Sequence, residues 1–298
     1  MPFPSSNVFY ILFNLIFLLK RREGIFHVTG HVHYAALVLP KNRTVLTIHD
    51  LVFLHSYSGI RRKVMKWLFL DLPVKRMKWI TTVSEKSKNE IVAFTNCDPN
   101  KIIVIHNPVD INFQGTKKNN LTDVPVLLFL GTKPNKNLEC VIAALYKIKI
   151  HLRIIGDLTK EQMQLLEKFS ISYSSVSNIS DQELIKEYTN CDVVLFPSIY
   201  EGFGLPIVEG FCSGRPVITS NLSPMKDIAC GAASLVDPNS IASIRKGVIE
   251  LISNKILYSE CIKKGLEISK FYTSKNIAEQ YNIVWSKILS EYKNDSQI

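Results

Sequence analysis

From residue 124 onward, short and mostly apolar runs alternate with stretches of helical periodicity. This pattern predicts strands at 124–131, 152–156, 174–177, 192–197 and 216–220. It predicts helices at 137–149, 160–169 and 181–191, and after Gly204. Continuous apolar strands separated by helices indicate a parallel sheet covered on both faces. We therefore expect a doubly wound α/β domain in this half of the chain.

The first part of the chain repeats this character less completely. Its predicted strands are 25–30, 43–50, 79–84 and 101–107, and its predicted helices lie near 61–70 and 85–94. The polar segment 114–123 (QGTKKNNLTD) is the expected linker. We expect one domain at 1–116, a second at 117–272, and a helix at 273–298 that packs back toward the first domain. Two such domains form a cleft, and ligands bind at the carboxyl ends of parallel strands.

Composition places the chain among ordinary globular proteins, with 46% hydrophobic and 21% charged residues. The six cysteines are far apart and form no C-x-x-C pair, and the histidines form no evident cluster. The sequence therefore predicts no metal site and no bound cofactor. Scattered thiols are typical of a reduced, cytoplasmic protein.

The net charge of +10 is concentrated in the first part of the chain, where residues 1–116 hold 15 Lys and Arg against 7 Asp and Glu. Segment 59–79 (GIRRKVMKWLFLDLPVKRMKW) mixes seven basic residues with bulky apolar ones. Such a mixture suits the headgroup region of an anionic membrane, and equally a solvated helix whose apolar side packs into the core. No recognition motif accompanies the charge, so nucleic acid is not expected as a partner.

Segment 8–19 (VFYILFNLIFLL) is apolar except for Asn14. Twelve residues are too few to span a bilayer, and no positive charge precedes them as in a signal peptide. The segment is expected to form a buried or interfacial helix.

The richest stretch for chemistry is 200–210 (YEGFGLPIVEG), directly after a predicted strand. Gly202 and Gly204 permit a tight turn, and Pro206 suits the first turn of a helix. The main-chain N–H groups of Phe203, Gly204 and Leu205 would then lie at a positive helix end, which binds phosphate.

The two glutamates of this stretch flank the turn. Glu209, placed by the sequence in the first helical turn, matches the vicinal hydroxyls of a ribose, and Glu201 would face another part of the same ligand. A ligand with phosphate in the middle, a ribose at one end and a second polyol at the other is a nucleotide sugar. Lys133 and Lys136, in the turn that opens at Gly131 (GTKPNKN), could neutralise a diphosphate. The alternative is a purely structural turn whose glutamates favour the helix N-terminus.

The run EGFGLPIVEG, followed by SGRPVITS and DIACGAASLVDP, resembles the C-terminal signature of the family 4 retaining glycosyltransferases, which have the GT-B fold. The resemblance covers most of residues 25–295. TIHDL at 47–51, TVSEKSKNEI at 82–91 and VIHNPVD at 104–110 also match. The implied architecture is α/β and GT-B-like, with two Rossmann-like doubly wound domains facing a cleft.

By position, the resemblance implies roles for individual residues. Glu209 would bind the donor ribose, and Glu201 would lie beside the donor sugar. The backbone at 202–205 would hold the diphosphate, with Lys136 against it. His49 would contact the transferred sugar, with Asp50 orienting it; the alternative for His49 is a hydrogen-bonded structural histidine.

The chain departs from the family pattern at two places. The turn GTKPNKN lacks the arginine that many members place near the lysine, so Lys133 or Asn135 would have to substitute. Members also begin with a strand and a glycine-containing loop upstream of the equivalent of Ile25, so we expect a shortened N-terminal domain.

The resemblance implies a metal-independent, retaining glycosyltransferase that moves a sugar from a nucleoside-diphosphate sugar to a glycan or a polyprenyl-diphosphate-linked acceptor. Its place would be bacterial surface polysaccharide or lipopolysaccharide synthesis, in the cytoplasm or peripherally on the inner face of the membrane. Two alternatives are a non-catalytic remnant that still binds nucleotide, and a nucleotide-sugar epimerase of the same shape.

Overall fold

A computed structural model of the chain describes residues 7–21, 23–55, 57–113 and 121–295. The backbone packs into two compact units. Unit 1 comprises residues 1–106 and 277–298, and unit 2 comprises residues 107–276. Residues 114–120, the larger part of the predicted linker, lie outside the described residues.

Unit 1 is built on a parallel sheet in which the described strands follow the order β1-β2-β3-β4. The strands are β1 (Phe26–Val28), β2 (Thr44–Ile48), β3 (Trp79–Thr82) and β4 (Ile102–Val104). The helices are α1 (Val8–Leu19), α2 (Val52–His55), α3 (Gly59–Lys66), α4 (Leu72–Arg76) and α5 (Glu85–Thr95). All five residues of β2 are buried, as the uninterrupted apolar pattern predicts for a strand covered on both faces. The four strands predicted for this region are confirmed.

Helix α1 is neither wholly buried nor wholly exposed. On one side Asn14 is fully buried and donates from Nδ2 to the Tyr34 hydroxyl at 3.1 Å, and Leu18 packs against the core. On the other side Phe9, with 74% of its surface exposed, and Leu12 face solvent. Among the residues that the structure describes, none of the helices is both long and apolar enough to cross a bilayer.

The basic segment 59–79 divides into two parts with different environments. Helix α3 buries none of its residues, and it exposes Ile60 and Val64 beside its basic side chains. The following π-helical turn (Trp67–Asp71) and α4 instead bury Leu70 and Val74 in the core. The prediction that the apolar side of this segment packs into the core is therefore correct for the second part and wrong for α3.

The last helix, α13 (Ser274–Asp295), contributes to the core of unit 1 from Ile277 onward. Its Tyr281 and Trp285 rings stack on each other and lie 5.1 and 5.9 Å from the ring of His27 on β1. The C-terminal segment is thus part of the packing around the first strand of the sheet.

Unit 2 contains a six-stranded parallel sheet in the order β10-β9-β8-β5-β6-β7. The strands are β5 (Val126–Leu130), β6 (His151–Ile155), β7 (Tyr173–Val176), β8 (Val193–Phe196), β9 (Val217–Ser220) and β10 (Ser234–Val236). The helices are α6 (Leu138–Ala144), α7 (Lys160–Lys168), α8 (Asp181–Asn190), α9 (Leu205–Cys212), α10 (Met225–Ala229), α11 (Ile241–Ser253) and α12 (Lys255–Ser269).

The strand order of unit 2 makes it doubly wound, as predicted. The chain starts at β5, winds outward through β6 and β7, then returns to the other side of β5 and continues through β8, β9 and β10. The direction of winding reverses between β5 and β8, which pair in register at Leu127 with Val193. Ligands of open α/β sheets bind at such a reversal, beyond the carboxyl ends of the strands. A ligand site is therefore expected at the loops that follow β5 and β8.

Two parts of unit 2 differ from the sequence prediction or were not predicted. The helix predicted at 137–149 ends at Ala144, and Lys147 then takes a left-handed conformation (φ 58°) that turns the chain toward β6. Strand β10 and helices α10, α11 and α12 had no counterpart among the predicted elements.

Helix α9 lies unusually close to the sheet. A Cβ atom at Gly210 would come within 2.9 Å of Val217 Cγ2 and 3.0 Å of Val194 Cγ2. A side chain at this position would therefore push the helix off strands β8 and β9. Gly210 fixes where the N-terminus of α9 lies relative to the carboxyl end of β8.

Candidate nucleotide-sugar site

The loops after β5 and β8 are joined by hydrogen bonds through Asn135. Its carbonyl oxygen accepts from Ile199 N–H at 2.8 Å, and its Nδ2 donates to the Tyr200 carbonyl at 3.0 Å. Both loops leave the sheet at the reversal point, so the bonds hold the two strand ends together above it. Sequence reasoning considered Asn135 only as a phosphate ligand, whereas the structure gives it this bridging role.

Lys136 and Glu201 form an ion pair across these two loops. Lys136 Nζ lies 2.7 Å from Glu201 Oε1, with 21% of the lysine and 14% of the glutamate side chain exposed. The ammonium also lies 4.8 Å from the centre of the Phe196 ring. Gly131 leaves room for the lysine stem, because a Cβ there would lie 3.1 Å from Lys136 Cγ and Cε. The pair is held in place yet partly open to solvent, so a ligand anion can reach the ammonium.

The turn before α9 has the backbone that the sequence predicts. Gly204 has a φ of 110°, a conformation that L side chains rarely adopt, and it caps the helix without a side-chain hydrogen bond. Pro206 falls in the first turn of the helix, where a missing N–H costs nothing. Among the described residues, no acceptor is bonded to the N–H of Gly204 or Leu205. The N-terminus of α9 therefore offers unpaired donors at the positive end of the helix dipole.

Phe203 has a different environment from the rest of the turn. Its side chain is buried, and its ring meets the Tyr272 ring edge-on with centroids 5.8 Å apart. Phe203 thus anchors the turn to the body of unit 2, and only its main chain is placed to meet a ligand.

Glu209 lies in the second turn of α9 rather than the first, since the helix begins at Leu205. The sequence placement in the first turn was wrong, because the helix begins directly after the Gly204 cap and Glu209 is therefore its fifth residue. Glu209 Oε2 accepts a hydrogen bond from the Tyr188 hydroxyl at 2.5 Å. Burial raises the pKa of Glu209, while the Tyr188 bond and the positive charge of Lys136 oppose that rise. The pKa of Tyr188 is also raised, because the ring is fully buried beside this carboxylate.

Lys133, the other predicted phosphate ligand, is exposed. It stands at the cap of the short 3-10 turn Pro134–Lys136, and no side-chain bond of Lys133 is present within the described part of the chain. The structure therefore brings together Gly131, Lys136, Glu201 and the turn 202–205, and it leaves Lys133 at the margin.

Two residues that sequence reasoning missed also shape this region. Asn137 takes a left-handed conformation (φ 69°), is buried, and donates from Nδ2 to the carbonyls of Pro197 (3.2 Å) and Pro238 (2.7 Å). It thereby ties the loop after β5 to the loops after β8 and β10. Tyr188 lies within the predicted helix 181–191, and no sequence signal placed it beside Glu209.

In unit 1, His49 and Asp50 follow the carboxyl end of β2, as predicted. The Asp50 carboxylate accepts from Val52 N–H at 2.9 Å, and the His49 carbonyl accepts from the Ser87 hydroxyl at 3.2 Å. Burial lowers the pKa of His49, Asp50 raises it and His31 lowers it further. His49 is therefore a neutral histidine near neutral pH.

A cavity of about 430 Å³ opens beside these residues. It is lined by His31, His33, Asp50, Val52, Phe53, Tyr57, Met65 and Phe69. His33 is buried, its Nδ1 is bonded to the Phe69 carbonyl at 2.9 Å, and burial lowers its pKa to about 4. The histidines looked dispersed along the sequence, but the ends of β1 and β2 bring His31 and His33 near His49. The sequence signal that could have indicated this cluster is the run His31-Val32-His33, directly after the predicted strand 25–30.

Metal-ligating side chains are not gathered at either place: within the described ranges, no group of three or more His, Cys, Asp or Glu is arranged to hold a metal ion.

Two family models match the chain. The family model of the group 1 glycosyl transferases matches residues 111–267, and that of Glycosyltransferase Family 4 matches residues 2–113. The first match covers more than half of the chain, and it includes the ion pair, the helix N-terminus and Glu209.

Two of the similar proteins are bacterial mannosyltransferases. The chain is 24% identical over 280 residues to the serotype-specific mannosyltransferase WbdA of Escherichia coli, covering 84% of this chain but 34% of WbdA. It is 28% identical over 220 residues to the O-antigen chain mannosyltransferase RfbU of Salmonella typhimurium, covering 70% of this chain and 61% of RfbU. The chain thus spans about a third of WbdA and less than two thirds of RfbU.

Solved structures show the same fold at low identity. A glycosyltransferase of Rickettsia africae superimposes with a TM-score of 0.75 and 19% identity, over 97% of this chain and 84% of that one. HepE of Anabaena, in complex with UDP and glucose, superimposes with a TM-score of 0.78 and 16% identity, over 96% of this chain and 84% of that one. The fold is that of the GT-B glycosyltransferases, and the chain belongs to the group 1, family 4 glycosyltransferases.

Proposed function

We propose that this protein transfers a sugar from a nucleoside-diphosphate sugar to a glycan or lipid-linked acceptor in the synthesis of a bacterial surface polysaccharide. The observation that carries the proposal is the arrangement of three groups at the reversal point of unit 2. These are the Lys136–Glu201 ion pair, the unpaired N-terminus of α9, and the partly buried Glu209 with its bond to Tyr188. Each group fits one part of a nucleotide sugar.

The diphosphate fits the positive groups. Lys136 and the first N–H groups of α9 can stabilise the negative charge that develops on the leaving diphosphate. Fixed donors in a partly water-excluded site need little reorganisation as the charge develops. We propose on this ground that transfer proceeds without a metal ion.

The hydroxyl-bearing ends of the ligand fit the carboxylates. Glu209 is proposed to accept hydrogen bonds from the ribose hydroxyls, and Glu201 to lie beside the transferred sugar. The family resemblance motivates the further proposal that His49 and Asp50 act as sugar-binding residues, since a neutral imidazole can donate or accept without adding charge.

The proposed reaction balances within the substrates. The bond from the anomeric carbon to the β-phosphate oxygen breaks, and its electron pair leaves with the nucleoside diphosphate. The acceptor hydroxyl oxygen attacks that carbon on the same face, so the configuration is retained, and its proton passes to a phosphate oxygen. The family resemblance motivates the retention; this chain's residues supply the stabilisation of the leaving group.

The experiment is a calorimetric titration of wild type and Glu209→Ala with a panel of UDP- and GDP-sugars, mannose included because of the relatives' names. We expect one donor to bind, and Glu209→Ala to bind it at least ten-fold more weakly, about the contribution of one charged hydrogen bond. Equal binding of every nucleotide by both proteins would refute the ribose assignment.

A turnover assay on the donor that binds separates the remaining possibilities. Transfer to a lipid-linked glycan with an unchanged anomeric configuration supports the proposal. Binding without turnover would instead indicate a non-catalytic nucleotide-binding protein. Interconversion of donors without any acceptor would indicate an epimerase.

We further propose that the protein works in the cytoplasm, peripherally attached to the inner face of the membrane. Helix α3 supports this, because it exposes Ile60 and Val64 next to Arg61, Arg62 and Lys63. Sedimentation with vesicles containing anionic lipid should carry the wild type down, and replacing these three basic residues by Gln should abolish most of the binding. Binding that persists in the triple variant would contradict the attachment through α3.

A further inference from the structure

The hydroxyl of Tyr188 is the hydrogen-bond donor that the structure gives to the Glu209 carboxylate. The two side chains come from different helices, α8 and α9, and the oxygen atoms are 2.5 Å apart. Tyr188 is completely buried, and the Phe113 ring meets its ring edge-on at 5.3 Å. The tyrosine therefore has little freedom to move, and its hydroxyl is held at a fixed position.

Glu209 is constrained at one oxygen only. Its Oε2 accepts from Tyr188, whereas within the described part of the chain no donor is bonded to its Oε1. A glutamate side chain has three rotatable bonds, so an unsupported carboxylate would lose conformational entropy when it bound a ligand. The bond to Tyr188 removes much of this freedom before any ligand arrives, which makes binding more favourable.

We propose that Tyr188 is a positioning residue that holds Glu209 Oε2 so that Oε1 meets the ribose hydroxyls of the donor nucleotide, and that it thereby sets a preference for ribonucleotides over deoxyribonucleotides. This inference rests on the proposed function, in which Glu209 binds the ribose. It adds a residue that touches no ligand and acts through the glutamate.

The bond also favours the charged state that accepts hydroxyl donors. Burial raises the pKa of Glu209, and the hydrogen bond from Tyr188 lowers it. The other ionisable groups near the carboxylate are Lys136, which also lowers its pKa, Asp181, which raises it, and the thiol of Cys212. Removing the tyrosine hydroxyl should therefore shift the balance toward the protonated acid, which accepts fewer hydrogen bonds.

The test compares the affinities of UDP and GDP with those of their 2′-deoxy forms, measured by calorimetry on wild type and Tyr188→Phe. Wild type should bind the ribonucleotide about ten-fold more tightly than its deoxy form, since a hydrogen bond to a charged group contributes about that factor. Tyr188→Phe should reduce this preference to about two-fold or less, mainly by weakening the ribonucleotide. As the pH is lowered, ribonucleotide affinity should fall at a higher pH in Tyr188→Phe than in wild type.

Tyr258→Phe is the matched control. Tyr258 is also buried in unit 2, and its hydroxyl donates to the Asp192 carbonyl at 2.9 Å, but it does not touch Glu209. This variant loses the same atom and a comparable bond, so it should keep the wild-type ribose preference. It shows what the loss of a buried hydroxyl does by itself.

Glu209→Asp tests the same idea without altering the buried ring. Its carboxylate is one methylene shorter, so it cannot both accept from Tyr188 and occupy the position of Glu209 Oε1. The ribose preference should fall as in Tyr188→Phe, and combining the two changes should lower it no further. If Tyr188→Phe does not fold, a full ribose preference in Glu209→Asp still overturns the inference.

The remaining outcomes separate this inference from the proposed function. If wild type binds neither nucleotide, or shows no ribose preference, the ribose assignment of Glu209 fails and the inference fails with it. If wild type shows the preference and Tyr188→Phe retains it, the assignment stands and the positioning role is refuted. Equal weakening of ribo and deoxy forms would mean that Tyr188 only supports the fold.

Discussion

The loops of unit 2 and the cavity of unit 1 hold their polar side chains in opposite ways. In unit 2 the functional candidates are charged and already paired, Lys136 with Glu201 and Glu209 with Tyr188. In unit 1 they are histidines kept neutral by burial, His33 and His49, in a cavity whose wall is largely aromatic and aliphatic. Under the proposed function, the charged groups of unit 2 suit an anion, and the neutral histidines of unit 1 suit uncharged hydroxyls.

The histidines and the motif glutamates are divided between the two units in the same way. Six of the seven histidines fall in the ranges of unit 1, and the two glutamates of the E-G-F-G-L-P-x-x-E motif fall in unit 2. A site that binds a diphosphate benefits from charges fixed in advance, because they need not reorganise when the ligand arrives. A site for sugar hydroxyls benefits from groups that both donate and accept, as a neutral imidazole does.

The largest effect is expected on turnover, when the positive charge of Lys136 in unit 2 is removed. In Lys136→Met the stem is retained and the ammonium is lost, which removes the cation proposed to stabilise the leaving diphosphate. Turnover of the nucleotide sugar should fall by about 10²- to 10³-fold, the effect of deleting one preorganised charge-stabilising donor. UDP or GDP affinity should fall about ten-fold, as measured by calorimetry.

Lys168→Met serves as the control for that experiment. Lys168 is exposed at the C-terminal end of α7, and it likewise contributes one positive charge to unit 2. Its loss should change turnover by less than about two-fold, because exposed charges are screened by solvent. If turnover survives in Lys136→Met, the ion pair is structural. The charged groups of unit 2 would then not serve to bind an anion, as the comparison of the two units assumes.

A smaller effect is expected on the stability of unit 1, because protonation of the buried His33 at low pH should destabilise the folded state. The folded pKa of His33 is about 4, below the value of 6.5 for an unperturbed histidine, chiefly because of burial. The unfolded chain therefore binds a proton at a higher pH than the folded one, and stability is lost as the pH falls from about 6.5 toward 4. The expected loss at pH 4 is about 3 kcal/mol from His33 alone. Burial lowers the pKa of His27 and His49 too, which adds to the loss.

Tryptophan fluorescence can follow this loss in unit 1 selectively. All three tryptophans, Trp67, Trp79 and Trp285, lie in unit 1. Denaturant titrations at pH 7 and pH 4 should show a large drop for wild type and a smaller one for His33→Gln, which keeps an N–H donor for the Phe69 carbonyl. His31, His49 and Asp50 face the same histidine and are unchanged in the variant. Identical pH dependence in both proteins would remove His33 from the explanation.

The central strands were predictable, because strands such as β8 and β9 are buried along their whole length and read as continuous, mostly apolar runs. The loops carrying Lys136 and Glu201 were predictable for a related reason, since a parallel sheet places successive strand ends on one edge. The motif EGFGLP also predicted the N-terminus of α9, because glycine and proline have conformational roles that do not depend on distant residues.

What the sequence did not reveal depends on contacts between distant segments. Tyr188 lies on α8 with the spacing of a core residue, and only the packing of α8 against α9 makes it a partner of Glu209. Asn137 gave no sign of bridging three loops, because the carbonyls it binds belong to Pro197 and Pro238. The cavity beside His33 likewise arises from the packing of segments far apart in the chain.

The smallest effect is expected from the backbone of the turn in unit 2. At Gly204 an alanine would be strained by the φ of 110°, and its Cβ would lie 3.1 Å from Ile207 Cδ1. Gly204→Ala should therefore lower the stability of unit 2 by about 2 kcal/mol and, by shifting the first turn of α9, weaken UDP or GDP binding about three-fold or more.

Gly231→Ala separates strain from position in this last experiment. Gly231 also has a positive φ, 75°, but no atom lies within 4 Å of the added Cβ. It should cost about 1 kcal/mol in calorimetric unfolding and leave nucleotide affinity unchanged. If Gly204→Ala were destabilised but bound nucleotide like Gly231→Ala, the helix N-terminus would not be a contact. The paired charges alone would then distinguish unit 2 from the neutral cavity of unit 1.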